Sequence, residues 1–351
     1  MNNNCFVGAG LSALFAQIFH WREGDICIYP STQSNPFNIR RYQLDFKKPI
    51  QKFYKSYGSV KYNIHPAKLH DMSCIGGNSN LWGGFFDTQI VKNIDKLTNL
   101  GINLIPLNFK NTGSSSNIKS IVQLQQVNGE ILNASNYLKP GISNYLLKIE
   151  FPDDGINLLF SKSLGSGENS QLFFGKVFIC TGVIQTIDLL MRSNLIKKGD
   201  RLSLDEFEYE LKMSKNRERS NLYKQTIISF SIIRALQHYL GLQKSIFNFK
   251  YSFSNPIKQF FYSNKKTIHL SVFDNEIILS NDSETQLNSI NFGKSIHYCN
   301  LRINGKNLNT FIRNINPNLY FVGMASVSQT NPGPISSDIY KLVEEIPSFI
   351  L

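Results

Sequence analysis

Residues 5–21 read "CFVGAGLSALFAQIFHW", and after a polar break the stretch "DICIY" occupies 25–29. "CFV" is a short apolar strand, "GAGLSA" follows neither structural period and is a turn, and over 11–21 the residues Leu14, Phe15, Ile18 and Phe19 fall on one side of a helix. "DICIY" is a second strand. Strand, glycine turn, helix and strand within thirty residues make a βαβ unit, and the turn reads Gly8-x-Gly10-x-x-Ala13, an accepted variant of the dinucleotide fingerprint. Gly8 permits the tight turn, Gly10 lets a pyrophosphate approach the helix amino terminus, and Ala13 lets the helix lie close to the strand. Leu11 and Ser12, between them, join the expected cofactor-binding set. The acidic residue that the fingerprint places about twenty positions on, to hold the ribose hydroxyls, is absent. Ser31, Thr32 or Gln33 is expected to take its place.

Around this unit the chain has 351 residues, 42% hydrophobic and 18% charged, a balance that argues against disorder. Single cores usually stop growing near about 250–300 residues, so two domains, or one with a large insert, are expected. The net charge of +12 comes from scattered basic residues, with a run "KMSKNRERSNLYK" at 212–224. No helix-turn-helix, zinc-finger or ribonucleoprotein motif accompanies them, so no nucleic-acid partner is expected, while an anionic substrate is compatible. Cys5, Cys27, Cys74, Cys180 and Cys299 form no C-x-x-C pair and are odd in number, which points to a reducing compartment and a cytoplasmic location. The apolar start lacks preceding basic residues and a cleavage site, and is too short to span a bilayer. His65, His70, His238 and His269 sit at no metal-ligand spacing, and no metal is expected.

Further along, "SCIGGNSNLWGGFF" at 73–86 sets two glycine pairs around a tryptophan with no helical or strand period. From 101 to 176, short apolar runs alternate with turn residues and predict antiparallel strands, with Asn128-Gly129 in a type I′ hairpin turn. "KVFICTG" at 176–182 is a buried strand, and a helix is expected after it, burying Ile184, Ile187, Leu190 and Met191 and stopping at Lys197, Lys198 and Gly199. Residues 200–292 differ in character: a charged opening, a helix over 221–241, then aromatic strands at 245–253 and 267–281. "NLYFVG" at 318–323 is a buried strand, and "SSDIYKLVEEI" at 336–346 a helix capped by Ser336 or Ser337, with Ile339, Leu342, Val343 and Ile346 as its apolar face.

Four of these segments, taken together and in order, resemble the glucose/methanol/choline (GMC) family of flavin-dependent oxidoreductases, nearest to its sugar-oxidising bacterial members. Gly8-x-Gly10-x-x-Ala13 resembles the family's flavin adenine dinucleotide (FAD) fingerprint. "GGNSNLWGG" at 76–84 resembles its glycine-rich segment along the isoalloxazine ring, and "VFICTGVIQTIDLLMRS" at 177–193 its strand, turn and following helix. "HYCNLRI" at 297–303 followed by "NLYFVGMASVSQTNP" at 318–332 resembles the region of its catalytic histidine and Asn-Pro. Met324 stands where family members carry an Asp beside the ribityl chain, and Cys299 and Asn300 where they carry Gly-Thr.

The resemblance implies an α/β fold: a discontinuous Rossmann-like FAD-binding domain of the GMC type over 1–199 and 293–351, with a reduced α+β substrate domain over 200–292. It implies FAD as cofactor and, besides the fingerprint residues and Ser31, cofactor contacts from Gly76, Gly77, Asn80, Trp82, Gly83, Thr181, Gly182, Gly323, Met324, Asn331 and Pro332. Glycines 76 and 77, with φ > 0, leave room for a flat ring, and Trp82 packs beside it or walls the substrate pocket. An alcohol group of a sugar or polyol would lose hydride to flavin N5 while His297 takes the hydroxyl proton and Asn331 orients the same oxygen. Two other readings stand beside this one: a degenerate flavin-binding scaffold without turnover, and a basic surface over 212–241 that docks on a membrane or an acidic partner.

Overall fold

The structure, a computed structural model, describes residues 3–29, 61–63, 75–77, 84–106, 109–110, 117–118, 120–153, 155–161, 168–173, 175–213, 259–273, 276–279, 294–328 and 334–347. Its centre is a parallel sheet of β1 (Cys5–Val7), β2 (Ile26–Tyr29), β9 (Ile142–Ser143), β13 (Val177–Ile179) and β19 (Leu319–Phe321), in the order β19-β13-β1-β2-β9. Each of β1, β13 and β19 is apolar at every position because both faces of the sheet are covered. Cys5, Val7, Val177, Ile179, Leu319 and Phe321 enter one core, while the alternate residues Phe6, Phe178 and Tyr320 enter the other. The register pairs Phe6 with Phe178 and Phe178 with Tyr320. Their rings accordingly stack across three strands at 4.9 and 5.6 Å.

The first core is closed by α3 (Val183–Arg192), α4 (Leu308–Arg313) and an antiparallel sheet of β10 (Tyr145–Glu150), β11 (Ile156–Ser161) and β12 (Glu168–Phe173). The second is closed by α1 (Leu11–His20), α5 (Ile335–Glu344) and a sheet of β4 (Phe85–Asp87), β8 (Ile121–Gln125) and β5 (Asn103–Pro106). A short helix, α2 (Asp95–Thr98), follows β4. The remaining strands form an eight-stranded sheet. Its main path is β18 (Lys306–Asn307), β17 (Lys294–Ile303), β14 (Arg201–Met213), β15 (Gln259–Phe273), β16 (Glu276–Leu279) and β3 (Lys61–Asn63); β6 (Phe109–Lys110) and β7 (Asn117–Ile118) hang from β15. Leu202, Leu204, Leu301 and Ile303, at the near ends of β14 and β17, lie in the first core, so the large sheet grows out of the parallel one. Among the described residues, no helix is long and apolar enough to cross a membrane.

The antiparallel region, the strand pairing over 267–279 and the mixed α/β class agree with expectation; the charged opening after 200 is instead the long strand β14, and three local details also differ. The turn at Asn128-Gly129 is not type I′, because only Gly129 has positive φ, at +79°. Gly129 N donates to Gln126 O, which is a type I turn followed by a left-handed glycine. Helix α3 ends at Arg192 rather than at Lys197, Lys198 and Gly199. Its last turn is captured by β10: Ile149 N donates to Ser193 Oγ at 2.9 Å and Arg192 Nη1 to Leu146 O at 3.0 Å, and Asn194 then turns left-handed at φ +56°. Neither Ser336 nor Ser337 caps α5. The helix begins at Ile335 after Pro334, and both serine hydroxyls reach β4 instead: Ser336 Oγ donates to Phe85 O, and Asp87 N donates to Ser337 Oγ, each at 2.5 Å. The expected helix over 221–241 and strand over 245–253 lie outside the described residues.

Tyr340 of α5 is fully buried, edge-on to Phe15, Phe19 and Phe86 at 5.0, 5.0 and 5.4 Å, and its hydroxyl donates to Asn93 O. Tyr340→Phe keeps the ring contacts and removes one of two bonds to that carbonyl, which still accepts from Lys96 N at 3.2 Å, so urea unfolding should show a loss of about 0.5–1.5 kcal/mol. An unchanged midpoint would show that the hydroxyl contributes nothing there.

Candidate functional site

The loops after β1, β13 and β19 meet at the carboxyl edge of the parallel sheet, where ligands of open α/β folds lie. Gly8 N donates to Ile28 O at 2.9 Å and Cys180 N to Val7 O at 2.7 Å, locking the first turn against both neighbouring strands. Gly8 has φ +119°, and a Cβ there would stand 2.4 Å from Cys180 O. Gly10 is different. Its φ of −101° suits any residue, and a Cβ would meet nothing nearer than Gly77 Cα at 3.9 Å. Neither its backbone conformation nor steric exclusion by the described residues accounts for a glycine at position 10, where a Cβ over the first turn of α1 would make only ordinary contacts with Gly76 and Gly77.

Two features of that helix end leave its positive pole uncompensated. Gly10 supplies no side-chain cap, and no acidic residue occupies the first turn, so the leading N–H groups of Leu11, Ser12 and Ala13 present their partial positive charge outward. Ala13 is fully buried and Leu11 packs on the second core. The glycine pair 76–77 is brought to the same place: Gly76 N donates to Ala9 O at 2.6 Å, and the two glycines have φ of +92° and +49°.

The carboxyl-terminal contribution arrives from β19. A Cβ on Gly323 would lie 2.9 Å from Ser12 Oγ, so this backbone passes directly over the first turn of α1. Thr181 O is 3.5 Å from the same point, and Thr181 Oγ1 is hydrogen-bonded to Thr186 Oγ1 at 3.0 Å, tying the turn to its own helix. Gly182 is the N-cap residue of α3 and, like Gly10, offers no side-chain cap. Met324 begins a 3₁₀ turn, Met324–Ser326, and packs against both cores. Two residues on, Ser326 Oγ is buried without a partner among the described residues. The structure therefore gathers Gly8, Gly10, Leu11, Ser12, Ala13, Gly76, Gly77, Thr181, Gly182, Gly323 and Met324 at one edge. His297 lies in β17 opposite Phe207 of β14. Ser31, Asn80, Trp82, Gly83, Asn331 and Pro332 lie outside the described residues.

Burial pushes the Cys5 and Cys180 thiols well above their usual range and Cys27 up to about 11, so these three behave as packed neutral groups. Among the described residues no cluster of His, Cys, Asp and Glu is placed to hold a metal.

Two buried polar clusters have no counterpart in the sequence motifs. Asp205, fully buried, accepts from both terminal nitrogens of Arg302 and from Asn300 Nδ2. Asp338, on the first turn of α5, is buried near Asp87, and its Oδ2 has no partner among the described residues. The alternation Leu202, Ser203, Leu204, Asp205 does place Ser203 and Asp205 on one strand face. Only the pairing of β14 with β17 supplies the cation.

No family model and no curated protein matches the sequence. Among solved structures, a fungal aryl-alcohol oxidase is similar at a TM-score of 0.34 and 10% identity, over 62% of this chain and 54% of that one, so the match spans about half the oxidase. A flavoprotein/dehydrogenase from Cytophaga hutchinsonii is similar at 0.31 and 8%, over 79% and 70%. The p-nitrophenol 4-monooxygenase PnpA from Pseudomonas putida is similar at 0.30 and 9%, over 80% and 74%. Likeness of this degree says nothing about cofactor or substrate.

Proposed function

We propose that this chain is an FAD-dependent oxidoreductase of the GMC type that oxidises an alcohol group of a sugar or similar polar metabolite, with His297 as base. The observation that carries the reading is Gly10, a glycine that neither its own conformation nor packing among the described residues requires, set over an uncapped helix end. A closely approaching diphosphate explains it. The residues around it fit: Gly76 and Gly77 cover the turn with backbone alone, and Ser326 Oγ is left for a polar partner.

When bound, FAD supplies the two-electron acceptor. The chain's part is to hold the diphosphate on the Leu11, Ser12 and Ala13 N–H groups and to exclude water at the carboxyl edge of the sheet. His297 takes the hydroxyl proton, and Asn331 orients the same oxygen. Residues 1–199 and 293–351 make up the cofactor domain in this reading, and 200–292 the substrate part. The second reading, a flavin-binding scaffold without turnover, is favoured by Met324, whose thioether packs on both cores and offers no carboxylate.

Purified protein is expected to be yellow, or to take up added FAD, and a panel of sugars and polyols, free and nucleotide-linked, should contain one that bleaches it anaerobically. His297→Ala should keep the colour and slow bleaching by about 10²–10⁴-fold. Colourless protein that takes up no flavin would end both flavin readings, and yellow protein bleached by nothing in the panel would favour the scaffold.

A further inference from the structure

β17 is interrupted where it passes β14. From Lys294 to Cys299 it pairs regularly with Glu210 to Asp205, and beyond the break Arg302 and Ile303 pair with Ser203 and Leu202. Two residues, Asn300 and Leu301, therefore stand opposite one, Leu204. This is a β-bulge, and Asn300 holds its first position at φ +53°, the left-handed conformation that glycine usually supplies there.

The bulge moves the strand between cores. Leu301 and Ile303 lie in the first core with Val7 and Ile179. Cys299 lies in the second, with Ala9, Ala13 and Cys180, on the side of the glycine turn. Position 297 is on the same strand face as Cys299, two residues along. Without the extra residue the segment 294–299 would slip by one, and position 297 would move to the opposite face.

One buried side chain spans the break. Asp205 Oδ2 accepts from Asn300 Nδ2 at 2.7 Å and from Arg302 Nη1 at 3.1 Å, Asp205 Oδ1 accepts from Arg302 Nη2 at 2.8 Å, and Arg302 Nε donates to Ser203 Oγ at 2.9 Å. The carboxylate is fully buried and grips residues on both limbs of the bulge. Buried ion pairs are poor sources of stability, and their best-attested use is to specify register.

We propose that Asp205, Asn300 and Arg302 form a positioning device that holds this bulge and thereby sets the face on which His297 is presented; the role rests on the reading of His297 as the base. The test uses full-length protein with ¹³C-labelled histidine, the His297 resonance being identified by its loss in His297→Gln, with and without FAD. Asn300→Gly retains the left-handed conformation but gives up the Nδ2 bond to Asp205, so FAD affinity should stay and the His297 midpoint and bleaching rate should lie closer to wild type than in Asn300→Val. Asn300→Val and the double variant Asp205→Asn/Arg302→Gln should bind FAD as before, shift the His297 midpoint and slow bleaching by about 10²-fold, the cost of a misplaced group. Asn300→Ala, a milder change, carries the same test if the valine variant does not fold. An unmoved His297 midpoint and unchanged bleaching in these variants would overturn the positioning role alone. Wild-type protein that takes up no FAD would overturn the functional reading, while the His297 resonance would still report on the bulge.

Discussion

Gly8→Ala is expected to destabilise the protein by about 3–5 kcal/mol, and Gly10→Ala, two residues away, by no more than about 1 kcal/mol. The difference follows from what surrounds each position. At Gly8 the backbone sits at φ +119°, and the new Cβ would stand 2.4 Å from Cys180 O and 2.8 Å from Cys180 C. Those atoms are main chain and cannot rotate away. Cys180 N is bonded to Val7 O, and β13 is paired with both β1 and β19. Relief would require separating two central strands, a large share of a net stability of about 5–15 kcal/mol. At Gly10 the methyl would meet the described residues only at ordinary contact distance, 3.9 Å from Gly77 Cα, with the backbone already in an ordinary conformation. Its effect should fall on the ligand: FAD affinity, read by fluorescence quenching on titration, should drop at least about tenfold, or about 1.4 kcal/mol. Equal FAD affinity in Gly10→Ala would remove the diphosphate from this turn. A Gly8→Ala protein as stable as wild type in urea would contradict the packing of β1 on β13.

The second large effect is concealed in the wild-type protein. Burial holds His20 down to about 4 from its usual 6.5, with Lys176, Lys96 and Arg22 adding to that; only the bond to Val343 O opposes it. Since a carbonyl can only accept, Nε2 carries the proton of that 3.1 Å bond and the ring is neutral. Burial raises Asp338 to about 7, with Asp87 adding to it and Lys341 opposing. The signs are opposite. Below pH 6.5 the unfolded chain protonates His20 before the folded one does, so this group's contribution is lost as pH falls towards 4. Above pH 3.8 the unfolded chain ionises Asp338 while the folded one keeps it neutral, so that contribution is lost as pH rises through 7. A tenfold difference in proton affinity between folded and unfolded chain is worth about 1.4 kcal/mol, so the two contributions are roughly 3 and 4 kcal/mol. Between pH 4 and 6.5 they largely cancel. Asp338→Asn should therefore unmask stability that rises with pH over that range, and His20→Gln stability that falls. Parallel profiles for wild type and both variants would show that neither group titrates as described.

How far the sequence alone reached depends on the distance over which each feature is encoded. The βαβ unit was legible because its signal is local: three apolar residues, a glycine turn and a 3.6-residue period within thirty positions. The apolar triplets of β1, β13 and β19 likewise announced strands buried on both faces. Their spatial order, with the late strands beside the first, follows from no local pattern. The motif assigns Gly8 to the turn and Gly10 to the ligand, but the steric cost that separates them comes from a φ of +119° and the arrival of Cys180 beside Gly8. Ser336 and Ser337 satisfy the composition rule for a cap, yet their hydroxyls bond β4 across the fold, and the helix starts before them. Asp205, Asn300 and Arg302 have no motif, since the carboxylate and its partners belong to strands distant in sequence that meet only at an irregular step in register. Periodicity and composition thus determined which elements form. Long-range hydrogen bonding and steric exclusion decided which of their residues are structural, because those forces act between neighbours in space and not along the chain.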